Sequence, residues 1–153
     1  MTHDIPADRP ADDDRPAPHR PSIRTQADLE ATWRRLMEPL GFSRHSLWLM
    51  LLDADGRPVP KLVEIDDAHR APGEEDLDGF AHFVLDLVTD LVPGGRLAAL
   101  RSRPGVGGPD ADDLGWARVL VGACRRVGVA TEVVHLATDV DLLPLPYDVL
   151  AVA

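Results

Sequence analysis

LAALRSRPGVGGPDADDLGWARVLVGACRRVGVATEVVHL, residues 97–136, is the stretch on which the fold turns. Pro93-Gly94-Gly95 is a sharp turn, and the short apolar run Arg96–Leu100 after it predicts a strand. Ser102–Pro109 is dominated by glycine and proline and predicts a loop. Asp110 stands where an N-cap belongs. Leu114, Ala117, Leu120, Val121 and Cys124 then recur at helical spacing as far as Val127, and Gly128 supplies the stop. Val129–Leu136 follows as a strand.

The same alternation extends towards the N-terminus. Ser46–Leu52, SLWLMLL, is too short and too uniformly apolar for a surface helix and predicts a buried strand. Asp53-Ala54-Asp55-Gly56 is a turn, with Gly56 free to take a positive φ. Lys61–Ile65 is expected to pair antiparallel with the first strand, and Pro58 and Pro60 point to an edge or an irregular start. A polar loop over residues 66–75 leads to a helix over Glu75–Val92. Its stripe is Leu77, Phe80, Ala81, Val84, Val88 and Leu91, while Phe83, Leu85 and Leu87 lie off it. A helix apolar on more than one face is buried on several sides or lies at a subunit contact.

Before the first strand, Thr25 and Asp28 form a capping-box pattern. Leu29, Trp33, Leu36, Met37 and Leu40 follow at helical spacing, and Pro39 and Gly41 end that helix near Glu38. Residues 1–24 alternate Pro, Asp, Arg and Ala, so they cannot offset their ordering entropy and are expected to be a disordered tail. The expectation is thus a tail over 1–24 and one globular domain over 25–153. Prolines 144 and 146 make the C-terminal stretch irregular, with a short strand through Val149–Val152. The predicted fold class is α/β (α+β): a mixed β-sheet covered by helices in the order α-β-β-α-β-α-β.

Composition removes several function classes. Of 153 residues, 44% are hydrophobic and 27% charged, the range of a globular domain. The formal net charge of −10 repels phosphate backbones and anionic membranes, which argues against non-specific nucleic-acid binding. The single cysteine, Cys124, makes neither an internal disulfide nor a CxxC zinc site. No apolar run reaches the roughly 18–20 residues that span a bilayer. The N-terminus has no signal-peptide pattern, so a cytoplasmic location is the expectation. The Ala, Asp, Arg, Pro and Val bias is that of a GC-rich bacterial genome.

The order strand, Pro/Gly loop, acid-capped helix, strand resembles the second half of the JAB/MPN metalloprotease-like domain, especially its RadC-like branch. The resemblance spans roughly residues 26–138. In that family a strand ends in His-x-His-Pro, and the two histidines and a later aspartate bind zinc. A glutamate from an earlier element is the general base. Here Arg101 and Arg103 fall at the histidine positions and Pro104 at the proline. Asp110 falls where the family has serine, and Asp113 at the metal-binding aspartate. His135 lies near a histidine of the RadC-like last strand, displaced by about one position.

The departures carry the expectation. Arginine stays charged at neutral pH and has no lone pair for zinc, so two of three ligands are missing. Phe42–Leu52 contains no glutamate for the base, and Glu64 sits on the next strand. A guanidinium–carboxylate cluster of Arg101, Arg103 and Asp113, with Asp110 or Asp112 beside it, is the expected replacement for the metal's charge balance. No catalytic residue, metal or cofactor is expected. The main expectation is a pseudoenzyme: a non-catalytic binding or scaffold module with a protein partner. One alternative is an enzyme or small-anion binder using Arg101, Arg103 and Asp113. The other is a structural homodimer through the helix carrying Leu77–Leu91.

Other motifs read as structure. Gly105-Val106-Gly107-Gly108 lacks the Lys-Ser/Thr of a P-loop. Asp53-Ala54-Asp55-Gly56 lacks the remaining ligands of an EF-hand. His45 and His69 are expected in exposed loops and His82 as an ordinary helix residue. Cys124 is expected to be an inert packing residue, with nothing to activate a Cys124–His135 pair. Trp33, Trp48 and Trp116 fall on core-facing positions.

Overall fold

The computed structural model describes residues 22–146. Its elements are α1 (Gln26–Met37), β1 (Ser46–Leu52), β2 (Pro58–Asp66), α2 (Glu74–Leu91), β3 (Arg96–Ser102), α3 (Ala111–Val127), β4 (Ala130–Thr131), β5 (Val134–Ala137) and β6 (Leu142–Leu145). One mixed six-stranded sheet runs β2-β1-β3-β5-β6, with β4 alongside β3. β1 is antiparallel to β2 and β3, β5 is parallel to β3, and β6 is antiparallel to β5. The chain is therefore of the mixed α/β class expected from its element order.

Strand alternation divides the core into two layers. Leu47, Leu49, Leu51, Leu97, Ala99, Val134 and Leu136 point to one face and pack against Ala81's neighbours Val84 and Val88 of α2 and against Trp116, Leu120 and Cys124 of α3. Met50, Leu52, Ala98, Leu100 and Ala137 point to the other face and meet Leu29, Trp33 and Met37 of α1. Helices thus cover both faces, and β1 and β3, central in the sheet, are apolar along nearly their whole length because both of their faces are buried.

Local signals set most boundaries. Thr25 and Asp28 form a reciprocal capping box at α1. Gly128 ends α3 in the left-handed region at φ 74°. Gly56 closes the β1–β2 turn at φ 81°, where an added Cβ would lie 2.6 Å from the Ile23 carbonyl oxygen. β2 is an edge strand, which is why it tolerates Pro58 and Pro60.

Several expectations need correction. Ile23 is buried, and its N–H donates to the Gly56 carbonyl at 2.7 Å, so ordered structure begins before residue 25. The rest of the expected tail, residues 1–21, and the strand expected at Val149–Val152 lie outside the described residues. Leu36 and Leu91, placed on apolar stripes, are exposed. Pro144 stands inside β6 at the other edge of the sheet, where it need not donate to a further strand. Val129–Leu136 is not one strand. The register against β3 slips by one residue between the Leu97–Thr131 and Leu100–His135 pairs, leaving Glu132 and Val133 as a bulge between β4 and β5. Among the described residues, no helix is long and apolar enough to cross a membrane.

Candidate functional site

β3 brings Arg101 to the α2/α3 side of the sheet, and the chain then turns through Arg103 into the glycine loop before α3. α3 begins beneath them. Asp110 accepts the Asp113 N–H at 2.8 Å, and the Asp113 carboxylate accepts the Asp110 N–H at 2.9 Å. This capping box fixes Asp113 at the first turn of α3 with its carboxylate facing the end of β3.

Arg101, Arg103 and Asp113 form a buried ion cluster. Arg101 Nε donates to Asp113 Oδ1 at 2.6 Å. Arg103 Nη2 donates to Oδ2 at 2.8 Å, and its Nε is shared between Oδ1 at 2.9 Å and Oδ2 at 3.0 Å. The side chains of Arg101, Arg103 and Asp113 are 1%, 7% and 0% exposed. The remaining guanidinium nitrogens reach backbone carbonyls. Arg101 Nη1 bonds to Ala68 and Nη2 to His69, while Arg103 Nη1 bonds to Pro104 and Nη2 to Gly108. Every guanidinium nitrogen is engaged, as burial of charge requires.

The electrostatics follow. Burial alone would raise the Asp113 carboxyl, but the bonds from Arg103, the Asp110 backbone and Arg101 outweigh it and hold the group below its ordinary value. Arg103 is pushed up, chiefly by its bond to Asp113. Two guanidinium charges face one carboxylate here. Asp110, half exposed, lies 3.6 Å from Arg103 Nε and offsets part of the excess.

The cluster ties three chain segments together: the end of β3, the start of α3, and the turn after β2. In that turn the Ala68 carbonyl accepts from both Arg101 and Trp116 Nε1, and the Ala68 N–H donates to the His45 backbone carbonyl at 2.9 Å. His45 and His69 stack there with ring centroids 4.1 Å apart. His45 is held below the ordinary histidine value by partial burial and by the positive charges of His69, Arg101 and Arg103. As sequence features these two histidines carry only the signal of loop residues, because the contact between them is made by the turn at Asp67, which has φ 57°.

His135 does not join the site. Alternation from Val129 and Thr131 would aim it at the α2/α3 layer, but the bulge at Glu132–Val133 reverses the parity of β5. His135 therefore lies on the α1 side with Val133 and Ala137, fully buried. Its Nδ1 bonds to the Val133 carbonyl at 3.2 Å, and burial holds it below the ordinary histidine value. Glu64 is also on the α1 side, opposite Trp48 and bonded to Ser46, so it is not placed to act on Asp113. Cys124 is buried on the inner face of α3, and burial pushes its thiol up to about 11.

A zinc ion does not fit these residues. Both oxygens of Asp113 are already taken by three donor groups, and neither arginine ligates a metal. Among the described residues, no three His, Cys, Asp or Glu side chains converge to hold one. No protein-family model matches the chain, and no curated protein matches it in sequence.

Proposed function

We propose that the chain is a non-catalytic binding module, a JAB/MPN-like pseudoenzyme of the RadC-like type in which a buried Arg–Asp–Arg cluster stands where that family holds zinc. The observation that carries this reading is the joint grip of Arg101 and Arg103 on Asp113. In the resemblance, Arg101 and Arg103 fall at the family's histidine ligands and Asp113 at its metal-binding aspartate; the bonds of both arginines to that carboxylate support this reading.

The cluster has a structural role in this reading. A metal crosslinks segments distant in sequence by bonding to each. Here the guanidinium groups do the same with charge-assisted hydrogen bonds to α3 and to the turns at 68–69 and 104–108. The loops at this end of the sheet are thereby rigid, and they present His69, Asp110 and the Gly105–Gly108 loop to a protein partner. Anion binding by the arginines is disfavoured, because each of their nitrogens is engaged and Asp110 and Asp112 add negative charge nearby.

A ligand-restoring variant tests the proposal. Arg101→His combined with Arg103→His recreates the His-x-His spacing opposite Asp113. Stoichiometric zinc uptake by the folded double variant, with none by the parent, is the expected result. Stoichiometric zinc uptake by the parent would overturn the reading. So would a folded double variant that takes up none, because the three positions would then not share the family's geometry.

A further inference from the structure

On the α1 side of the sheet, away from the ion cluster, a cleft lies at the end where Ser46 of β1, Glu64 of β2 and Ser102 of β3 meet. α1 covers Met50, Leu52 and Leu100, and the chain then turns back through Gly41–Arg44. The cleft, between that segment and the sheet, is of about 210 Å³ and is lined by Phe42, Arg44, Ser46, Trp48, Glu64 and Ser102.

The floor is polar in strands that are otherwise apolar. Ser46 and Ser102 are direct partners across β1 and β3, and both are at most 2% exposed. Buried hydroxyls are costly unless bonded. Ser46 Oγ donates to Glu64 Oε2 at 2.7 Å, and Ser102 Oγ accepts from Trp48 Nε1 at 2.9 Å. Arg44 Nη2 lies 3.5 Å from the same Oε2.

This arrangement leaves two groups open, counted among the described residues. The bonds to Glu64 all go to Oε2, so Oε1 is an unused acceptor. Ser102 receives a bond, so its own O–H is an unused donor. Glu64 reaches across to Ser46, whose strand partner is Ser102, so the Glu64 carboxylate and the Ser102 hydroxyl line the same cleft with Ser46 between them. Trp48 and Phe42 supply aromatic surface beside both. Arg44 and Glu64 cancel in charge, so the cleft favours a neutral guest.

We propose that this cleft binds a small planar heterocycle carrying an adjacent N–H donor and carbonyl acceptor, a lactam or a primary carboxamide. The ring lies against Trp48 and Phe42. Its N–H donates to Glu64 Oε1, and its carbonyl accepts from the Ser102 hydroxyl. The cleft holds one ring with its substituents and is too small for a nucleotide. The proposal does not depend on the fate of the metal site.

The test is a titration of the full chain with nicotinamide and with uracil, following the Trp48 indole N–H by NMR. Trp48→Phe identifies that resonance. A saturable shift with at least one probe is expected. N,N-dimethylnicotinamide, which keeps the ring and carbonyl but has no amide N–H, is expected to leave the resonance in place. Ser102→Ala and Glu64→Gln are each expected to weaken binding about tenfold. Failure of both probes to shift the resonance would overturn the proposal. So would an equal shift by the dimethyl analogue, a comparison made on the parent protein and therefore independent of whether either variant folds.

Discussion

Arg103 Nη2 lies 2.8 Å from Asp113 Oδ2, and its Nε spans both oxygens of the same carboxylate, inside a site closed to solvent. Arg101 bonds to the same group from two residues earlier, within β3. Three charges removed from water are costly unless each is paired and hydrogen-bonded. All three are hydrogen-bonded, with the two guanidinium groups sharing one carboxylate and Asp110 offsetting part of the excess, and the consequence is an asymmetry between removing one member and removing the set.

Asp113→Asn leaves buried Arg101 without a bonded carboxylate and Arg103 with only the half-exposed Asp110 at 3.6 Å. A loss of about 3–5 kcal/mol is expected in urea unfolding. Replacing Arg101, Arg103 and Asp113 together by leucine is expected to cost less than Asp113→Asn alone, because no unpaired charge remains. A triple variant less stable than the single one would show that the cluster adds stability beyond mutual compensation.

Stability is expected to fall with acidification in two stages. His135 and His45 are held below the ordinary histidine value, so below about pH 6.5 the unfolded chain binds protons that the folded chain refuses. Their contribution is therefore lost as pH falls from about 6.5 towards their folded values. Asp113 is also depressed, so its contribution persists above about pH 4 and is lost only as pH falls through its lower folded value. Unfolding free energies measured across this range check both stages. His135→Leu is expected to flatten the upper one, and an unchanged slope would remove His135 as its source.

Cys124 is fully buried, with its thiol pushed up to about 11. The thiolate is the reactive form. A thiol reagent applied to the native protein near neutral pH is expected to react only at the rate of unfolding and to reach one equivalent in denaturant. Rapid native labelling would contradict the packing described for α3.

Gly95 leads into β3 so close to β1 that an added Cβ would meet the Leu52 carbonyl oxygen at 2.1 Å and the Val92 side chain at 2.9 Å. Backbone cannot give way cheaply there. Gly95→Ala is expected to cost about 1–3 kcal/mol, whereas Gly122→Ala on α3, where nothing lies within 4 Å, is expected to be neutral or stabilising. Thermal melts of the two variants make the comparison directly.

Much of this architecture was legible in the sequence because its signals are local. SLWLMLL between breakers could only be a buried strand, and Asp110 with Gly128 marked both ends of α3. The meeting of Arg101, Arg103 and Asp113 was also readable, since a strand end and the next helix start are joined by a short loop. His135 was not readable in the same way. Its side of the sheet depends on one extra residue between β4 and β5, and nothing in ATEVVHLA announces a bulge. The stacking of His45 on His69 depends on long-range packing of the turn after β2, and the cleft at Ser46 and Ser102 depends on a register between strands more than forty residues apart. Such relationships belong to tertiary pairing and leave no periodicity in the chain.

The central proposal is that arginine and aspartate here do what a metal does in JAB/MPN domains. Elemental analysis of the protein, purified without a histidine tag or chelator and dialysed against zinc, tests it most directly. The account predicts zinc far below one ion per chain. Near-stoichiometric zinc would contradict it, because an ion could be held only by donors other than the cluster or by a rearrangement that frees Asp113 from both arginines.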